Sequence, residues 1–221
     1  MRRPLRYQAV LFDLDGTLVD SYAALEDAVN HALREHELPA LEPGRIRNFV
    51  GDGVERLMQR AFATQDVPQS AFDSFECRYD EVCCSGSRIL TEVETTLSAL
   101  SELRLPMAVC TNKPTPFSHK ILKFLGLSHH FGAIVGPDLA GARKPDGKHV
   151  LATLEAIAAD PRFTLFVGDM PIDVQAARNG GVAVAAIATG SSTREELVAA
   201  APDHLLDRFS DLVRIIRREA A

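Results

Sequence analysis

Residues 9–17 read Ala-Val-Leu-Phe-Asp-Leu-Asp-Gly-Thr, an apolar run that ends in two carboxylates one residue apart. The apolar part predicts a buried strand, and ligands of open α/β sheets bind at the carboxyl ends of the strands. Because side chains alternate along a strand, Asp13 and Asp15 are predicted to point the same way. Two carboxylates that close repel each other, and a divalent cation would hold both ionised. An ordinary Asp-Gly turn after a strand is the alternative interpretation.

The composition is that of an ordinary globular chain, with 221 residues and a formal net charge of −6. This length can bury one full core, with or without a small inserted domain. The negative charge argues against a general nucleic-acid or anionic-membrane surface, so a small molecule is the expected partner. No window reaches about 18 consecutive apolar residues, and the N-terminal residues lead into a strand rather than a signal-peptide core. We therefore expect a cytoplasmic protein that binds neither nucleic acid nor membranes.

About 65 residues after the first strand carry helical patterns and no convincing strand pattern. Apolar residues recur at helical spacing from Leu25 to Leu33, and further helical patterns follow as far as Cys83. The segment is too long for an ordinary connection between a strand and a helix, which predicts an inserted helical domain. We assign residues 20–86 to this insert, and residues 1–19 and 87–221 to an α/β core.

From Glu92 onward, helical patterns alternate with short apolar strands. The predicted strands cover residues 107–111, 133–135, 164–167 and 182–188. Short apolar strands separated by helices are typical of a parallel, doubly wound sheet, so the predicted fold class is α/β. After the last strand, Ser192 and Glu195 are predicted to form a capping box that begins the next helix.

Polar residues follow three of these strands, at 111–113, 143–146 and 168–173. Each cluster alone has an ordinary explanation: Thr111 as a capping hydroxyl, Lys144 as a solvated charge and Asp169 as a helix cap. Because parallel strands end at one edge of their sheet, we expect these groups to lie near Asp13 and Asp15. That combination predicts a functional site.

The combination resembles the haloacid dehalogenase superfamily of phosphotransferases over essentially the whole chain. Residues 13–17 match its first motif, Thr111 its second, Lys144-Pro145 its third, and Gly168-Asp169 with Asp173 its fourth. The resemblance implies a Rossmann-like core and a mobile cap domain, here the helical insert. A cap that closes over such a site excludes water and brings selective groups close to the leaving group.

The resemblance also implies a Mg²⁺-dependent hydrolase that acts on a small phosphorylated metabolite. In that family Asp13 would be the nucleophile that forms an aspartyl-phosphate, and Asp15 would protonate the leaving oxygen and then activate water. Thr111 and Lys144 would hold the phosphoryl oxygens, with Asn112 as a further phosphate-binding candidate. A carboxylate attacking a phosphate dianion is repelled, so nearby cations must offset the charge.

The implied metal site would place Mg²⁺ between Asp13, the carbonyl of Asp15 and Asp169, with Asp173 in support. In this interpretation the two neighbouring aspartates have unequal roles. Asp13 contributes its carboxylate to the metal, whereas Asp15 keeps its carboxyl group free for proton transfer.

Within the superfamily, residues 50–53, residues 57–60 and the Thr-Asn-Lys-Pro at 111–114 resemble phosphoglycolate phosphatase-like members. Arg56 and Arg60 are the cap cations nearest the Gly-x-Gly turn. Either could meet a substrate carboxylate, with Arg60 as the substrate-binding candidate, although a solvated helix face is the favoured interpretation for each. The chain lacks the Tyr-Pro-Gly turn of that subgroup before residue 92, and other substrates stay open: sugar phosphates, nucleotides and pyrophosphate.

Other relatives match less well. Dehalogenases have no need of Asp15, and phosphonate hydrolases use a cap lysine, whereas the first lysine here is Lys113. Mutases of the β-phosphoglucomutase type carry a histidine where this chain has Leu25, which favours water as the acceptor, although such a mutase stays an alternative. A phosphate-binding module without turnover is the remaining alternative, and loss of a catalytic group would favour it.

Overall fold

The computed structural model describes residues 5–42 and 44–217, and it contains the parallel sheet that the sequence predicts. The strands are β1 (Ala9–Phe12), β2 (Val19–Asp20), β3 (Arg88–Ile89), β4 (Met107–Cys110), β5 (Ala133–Val135), β6 (Thr164–Gly168), β7 (Ala183–Ile187) and β8 (His204–Leu206). Six of them form one parallel sheet in the order β5-β4-β1-β6-β7-β8, and β2 pairs antiparallel with β3. The predicted α/β class is confirmed.

Ten α-helices lie within the described residues. They are α1 (Tyr22–Glu35), α2 (Val54–Phe62), α3 (Gln69–Val82), α4 (Val93–Glu102), α5 (Thr115–Phe124), α6 (Pro137–Ala140), α7 (Gly147–Ala156), α8 (Pro171–Asn179), α9 (Arg194–Ala200) and α10 (Asp211–Arg217). None of these helices combines the length and the apolar character that crossing a membrane requires.

Strand β1 lies in the middle of the sheet, between β4 and β6, and both of its faces are buried. Val10 is opposite Met107 on one side and Leu165 on the other. Val10 and Phe12 belong to a core that includes residues of α4, α5 and α10, whereas Leu11 belongs to a core with residues of α7, α8 and α9. Since helices cover both faces, the strand is apolar throughout rather than alternating.

Helices α1, α2 and α3 form a segment that leaves and returns to the sheet domain at one place. Val19 of β2 pairs with Ile89 of β3, and Asp20 pairs with Arg88. Within the segment, Arg78 of α3 donates to both carboxylate oxygens of Asp27 on α1, at 2.8 and 2.9 Å. The paired strands therefore bring the two ends of the helical segment together.

The structure corrects three local predictions. The sequence also shows a helical pattern through Ile46, Phe49 and Val50, and there the structure has a short 3₁₀ helix, Ile46–Phe49, rather than an α-helix. The capping box is made by Thr193 and Glu196, not by Ser192 and Glu195: the Glu196 amide donates to Thr193 Oγ1 at 3.2 Å, and the Thr193 amide donates to Glu196 at 2.8 Å. Strands β2, β3 and β8, of only two or three residues each, were not predicted, because strands that short show no periodicity.

Candidate active site

The first polar loop begins where β1 ends, and it places Asp13 at the carboxyl edge of the sheet. The Asp13 amide donates to the carbonyl of Val167 at 2.9 Å, which extends the pairing between β1 and β6 by one residue. Gly16 then turns the chain with φ of 82°, and a Cβ there would lie 2.6 Å from an oxygen of Asp169. Glycine is needed because the left-handed backbone and the close approach both exclude a side chain.

Lys144 is a buried cation between two carboxylates, not a solvated charge. Its side chain is 1% exposed, and its Nζ lies 2.8 Å from Asp13 Oδ1 and 2.7 Å from Asp173 Oδ1. Burial alone would lower the pKa of Lys144, but the two adjacent carboxylates outweigh it and hold that pKa above its usual range. The lysine therefore stays charged beside Asp13.

Asp13, Asp169 and Asp173 form a buried acidic cluster whose ligand oxygens lie within 4.8 Å of one another. Burial raises the pKa of Asp169 well above its usual value, and the neighbouring Asp173 and Asp13 raise it further. Burial also raises the pKa of Asp173 to about 6, although Lys144 opposes the shift. Ionisation of all three carboxyl groups beside one lysine would leave an excess of negative charge in a site with little water to screen it.

A divalent cation fits this donor set. Carboxylate oxygens are the ligands that Mg²⁺ and similar hard cations prefer, and the excess charge of the cluster favours a dication. Asp13 Oδ1 is buried and makes no hydrogen bond of acceptable geometry within the described residues, although Lys144 lies close to it. The Asp169 carboxylate is oriented by Thr17, whose hydroxyl donates at 2.8 Å, and by the Ser191 amide at 3.1 Å.

The carboxylate of Asp15 lies outside the acidic cluster and has partners of its own. The Ser21 hydroxyl donates to Oδ1 at 2.5 Å, and Lys113 Nζ donates to Oδ2 at 2.6 Å. Lys113 is itself buried, and although burial alone would lower its pKa, the adjacent Asp15 holds that pKa above the usual range. The two aspartates of the first loop thus have different surroundings, as unequal roles would require.

Thr111 and Asn112 follow β4 and lie beside Asp13 and Asp15 in the same cavity. Thr111 is buried, and its hydroxyl accepts from the Lys113 amide at 3.2 Å. Asn112 accepts from the Lys144 amide at 2.8 Å and donates to the carbonyls of Lys144 and Gly51, at 3.1 and 2.9 Å. The Asn112 side chain therefore positions Lys144 and joins the sheet edge to the helical segment.

The helical segment covers the sheet edge and closes one side of the cavity. Its contribution is mostly apolar and includes Leu25, Val54, Leu57 and Phe75, with Tyr79 as the polar exception. Arg47 also donates to the carbonyl of Gly190 at 2.7 Å, across the junction. The segment therefore contacts the polar loops after β4 and β7.

The structure does not bring Arg60 to this cavity. Its Nη1 donates to the carbonyl of Phe49 at 2.9 Å, and its Nη2 forms an ion pair with Asp52. Arg56 donates to Gln59 on the same helix, at 3.0 Å. The other candidate residues do meet at the sheet edge: Asp13, Asp15, Thr111, Asn112, Lys144, Asp169 and Asp173. A role for Arg60 in substrate binding stays a prediction without support from this geometry.

Sequence reasoning overlooked the loop after β7. Gly190 and Ser191 follow that strand at the same sheet edge and contact Asp169. The reasoning applied to the earlier strand ends would have found them, because Thr-Gly-Ser-Ser follows an apolar run there too. Ser21, which precedes α1 and donates to Asp15, and Tyr79, which lies on α3 and lines the cavity, carry no comparable signal, because ordinary helix capping and packing explain them.

Gly190→Ala is expected to destabilise the protein by about 1–3 kcal/mol, the usual cost of forcing extra atoms into a packed site. The added Cβ would lie 1.7 Å from Asp169 Oδ2, so the loop or the carboxylate must move. Gly132→Ala is the matched control, since its Cβ would lie 3.3 Å from Ile157, away from the site. Urea unfolding of both variants measures the difference, and equal stabilities would contradict the close approach.

Known hydrolases resemble this chain over most of its length. The sequence model of the haloacid dehalogenase-like hydrolases matches residues 10–187. A phosphoglycolate phosphatase of Photorhabdus laumondii is 34% identical over 215 residues, which cover 95% of this chain and 92% of that protein. A phosphoglycolate phosphatase of Agrobacterium fabrum is 35% identical over 216 residues, with the same coverage of 95% and 92%.

Solved structures agree with the sequence relatives. A crystal structure described as a predicted phosphoglycolate phosphatase from Haemophilus somnus superposes with a TM-score of 0.88 at 30% identity, and covers 95% of this chain and 98% of that one. A predicted phosphatase from Clostridium acetobutylicum superposes with a TM-score of 0.87 at 25% identity, with coverage of 96% and 99%. These relatives confirm the predicted class of enzyme, a hydrolase of the phosphatase type. The chain belongs to the haloacid dehalogenase-like hydrolase family, as a phosphoglycolate phosphatase-like member.

Proposed function

We propose that this protein hydrolyses a phosphomonoester of a small metabolite in a Mg²⁺-dependent reaction, with an aspartyl-phosphate intermediate and phosphoglycolate as substrate. One observation carries the proposal: Asp13 contacts the buried Lys144 ammonium, belongs to a cluster with two further buried carboxylates, and lines a cavity at the sheet edge. The substrate is inferred from the names of the most similar sequence relatives reported above.

The proposed reaction has two steps, and Asp13 and Asp15 act in both. A carboxylate oxygen of Asp13 attacks phosphorus, the bond to the ester oxygen breaks, and Asp15 gives its proton to that leaving oxygen. Asp15 then accepts a proton from water as the water attacks the phosphorus of the aspartyl-phosphate, which releases phosphate and regenerates Asp13. One residue can serve as acid and then as base because each step restores the protonation state needed by the other.

The other polar residues support these steps. Lys144 would offset the negative charge that builds up as one anion approaches another, and the Thr111 hydroxyl would donate to a phosphoryl oxygen. Asn112, with all its polar atoms bound to backbone, holds Lys144 in place. Asp13, Asp169 and Asp173 would hold Mg²⁺, with the Asp15 carbonyl as a further ligand. When bound, Mg²⁺ supplies positive charge for the phosphoryl oxygens.

We also propose that residues 20–86 form a cap domain on a core of residues 1–19 and 87–221. The pairing of β2 with β3 supports this division, because it joins the two ends of the helical segment in one narrow ribbon. Contacts such as Asn112 to Gly51 and Arg47 to Gly190 lie across the proposed boundary. A cap joined to its core by one narrow ribbon can open for substrate and close to exclude water.

Removal of divalent metal is expected to lower phosphate release from 2-phosphoglycolate by at least about 100-fold, since the metal offsets several kcal/mol of charge repulsion. The full-length protein is dialysed against EDTA, assayed, and assayed again after Mg²⁺ is restored. Recovery on adding Mg²⁺ is the expected result. Undiminished activity after exhaustive chelation would contradict the metal requirement.

The same assay tests the substrate. Glucose 6-phosphate, AMP and pyrophosphate are compared with 2-phosphoglycolate at equal concentrations, and the largest kcat/KM is expected for phosphoglycolate. A higher value for another compound would reject phosphoglycolate while leaving the phosphatase activity in place. Absence of hydrolysis with every compound, in the presence of Mg²⁺, would count against turnover and favour a phosphate-binding module.

A further inference from the structure

Two polar groups meet in the otherwise apolar part of the cavity, one from the helical segment and one from the sheet edge. Tyr79 lies on α3, and Lys113 follows β4. Lys113 Nζ lies 5.0 Å from the centre of the Tyr79 ring and 2.6 Å from Asp15 Oδ2. Both side chains line the cavity together with Asp15. They are therefore close to the ester oxygen that Asp15 would protonate.

The Tyr79 hydroxyl is buried, and no acceptor for its O–H lies in hydrogen-bond geometry among the residues that the structure describes. The nearby Lys113 ammonium interacts with the hydroxyl oxygen but can only donate to it. Packing determines where the ring lies: it stacks on Phe75 with centroids 5.5 Å apart, and Phe117 meets it edge-on at 5.0 Å. A buried O–H without an acceptor is costly, and the fixed ring prevents it from turning toward one. An acceptor atom of a ligand in the cavity would satisfy this donor.

Lys113 has a donor to spare. Its ammonium group carries three N–H bonds, of which one is donated to Asp15 and a second can reach the nearby Tyr79 hydroxyl oxygen, which leaves one for a ligand. Among the described residues that line the cavity, Lys113 is also the sole cation. The surrounding wall is apolar, with Leu25, Leu57 and Phe75 close by. In a pocket of this kind, a few polar groups determine the orientation and identity of the ligand.

We propose that Tyr79 and Lys113 together bind a carboxylate on the leaving group, and so select phosphomonoesters of short hydroxy acids. This inference rests on the proposed function of the cavity. The O–H of Tyr79 and an N–H of Lys113 would donate to the carboxylate oxygens. Since both groups lie beside Asp15, the recognised anion belongs to the leaving alcohol and not to the phosphoryl group. The apolar wall explains why a small acid is preferred to a polyhydroxylated sugar.

The recognition is completed only when the helical segment covers the sheet edge, because Tyr79 and Lys113 come from opposite sides of the cavity. A substrate carboxylate would therefore bridge the two sides. Arg60, the cation predicted from the sequence, is bound to Asp52 and to the Phe49 carbonyl instead. If Tyr79 and Lys113 bind the carboxylate, their substitution weakens the preference for a carboxylated substrate. If Arg60 binds it, substitution of Arg60 does so instead.

The test compares 2-phosphoglycolate with ethyl phosphate, which has a methyl group in place of the carboxylate. We expect Tyr79→Phe to lower the ratio of the two kcat/KM values at least about tenfold, since a hydrogen bond to a charged group is lost. Lys113→Met should lower the ratio further. A purely structural effect would reduce both values alike and leave the ratio unchanged.

Tyr7→Phe is the matched control, because the Tyr7 hydroxyl contacts His204 at 2.9 Å, away from the residues lining the cavity. The ratio of its kcat/KM values for 2-phosphoglycolate and ethyl phosphate should equal that of the wild type. Arg60→Ala tests the competing assignment. A lowered ratio in Arg60→Ala together with an unchanged ratio in Tyr79→Phe would overturn the inference.

Failure of the inference and failure of the proposed function give different results. If the wild type hydrolyses phosphoglycolate but both Tyr79→Phe and Lys113→Met keep its ratio, the inference is wrong and the function stands. If the wild type hydrolyses neither compound, the proposed function is wrong, and calorimetric titration with 2-phosphoglycolate decides the inference. Binding weakened at least about tenfold in Tyr79→Phe would support it, whereas equal binding or none in the wild type would overturn it.

Discussion

Asp13→Asn is expected to lower kcat for phosphoglycolate hydrolysis by at least about 10⁴-fold, because an amide cannot replace a carboxylate as nucleophile. The substitution keeps the shape of the side chain, so the buried loop can stay in place. It also removes one of the three carboxylates of the acidic cluster and the partner of Lys144 at 2.8 Å. The measurement is phosphate release under saturating Mg²⁺ and substrate.

A second measurement separates the loss of the nucleophile from general damage. Substrate labelled on phosphorus is mixed with the wild type and the reaction is stopped with acid, which should trap label on the protein that hydroxylamine releases. Asp13→Asn should trap none. Asp207→Asn is the control, because the Asp207 side chain is 78% exposed and pairs with Arg194 on the surface. Trapped label in Asp13→Asn, or a rate within tenfold of the wild type, would exclude Asp13 as the nucleophile.

Lys144→Met is expected to lower kcat about 10³-fold. At an effective dielectric constant near 20, a unit charge about 4 Å from a carboxylate contributes roughly 4 kcal/mol, which corresponds to nearly three decades in rate. The methionine side chain fills a similar volume, so the loss reflects charge rather than a cavity. Steady-state kinetics with phosphoglycolate measure the effect, and a fall of less than tenfold would show that Lys144 is not needed for charge stabilisation.

The same variant should also be less stable, by about 3–5 kcal/mol, because Asp13 and Asp173 lose their buried counter-charge. Saturating Mg²⁺ should restore part of this stability, since a ligand that binds only the folded state stabilises it. Lys148→Met is the control, as Lys148 is an exposed lysine near the start of α7. Urea unfolding with and without Mg²⁺ measures both effects, and equal stability of the two variants would contradict a buried ionic cluster.

Much of the fold was predictable because it depends on local patterns. Apolar runs of four or five residues separated by amphipathic helices predict a parallel sheet, and β1, β4 and β6 lie where these runs predict them. Strand β8 and the ribbon of β2 and β3 were not predictable, because each is short and includes a polar residue, so no apolar run marks it in the sequence. Tertiary pairing decided their structure.

The sequence by itself determined the α/β class, the family and the set of polar residues at the strand ends. It could do so because strands of one parallel sheet end at a common edge, so residues far apart in the chain are brought together by topology alone. Asp13 and Asp169 are separated by 155 intervening residues, yet both follow apolar strands and both reach the acidic cluster. Predicting that these residues lie close together needed no detail of side-chain packing.

Only the tertiary structure decided which cation reaches the cavity. Arg60 and Lys113 are both near matching motifs in the sequence, but Arg60 is bound to Asp52 whereas Lys113 is bound to Asp15. Likewise, the site of Tyr79 depends on how α3 packs against α5, through the contact of its ring with Phe117. The physical reason is that charge pairing and aromatic packing depend on distances between separate elements, which hydrophobic periodicity does not encode.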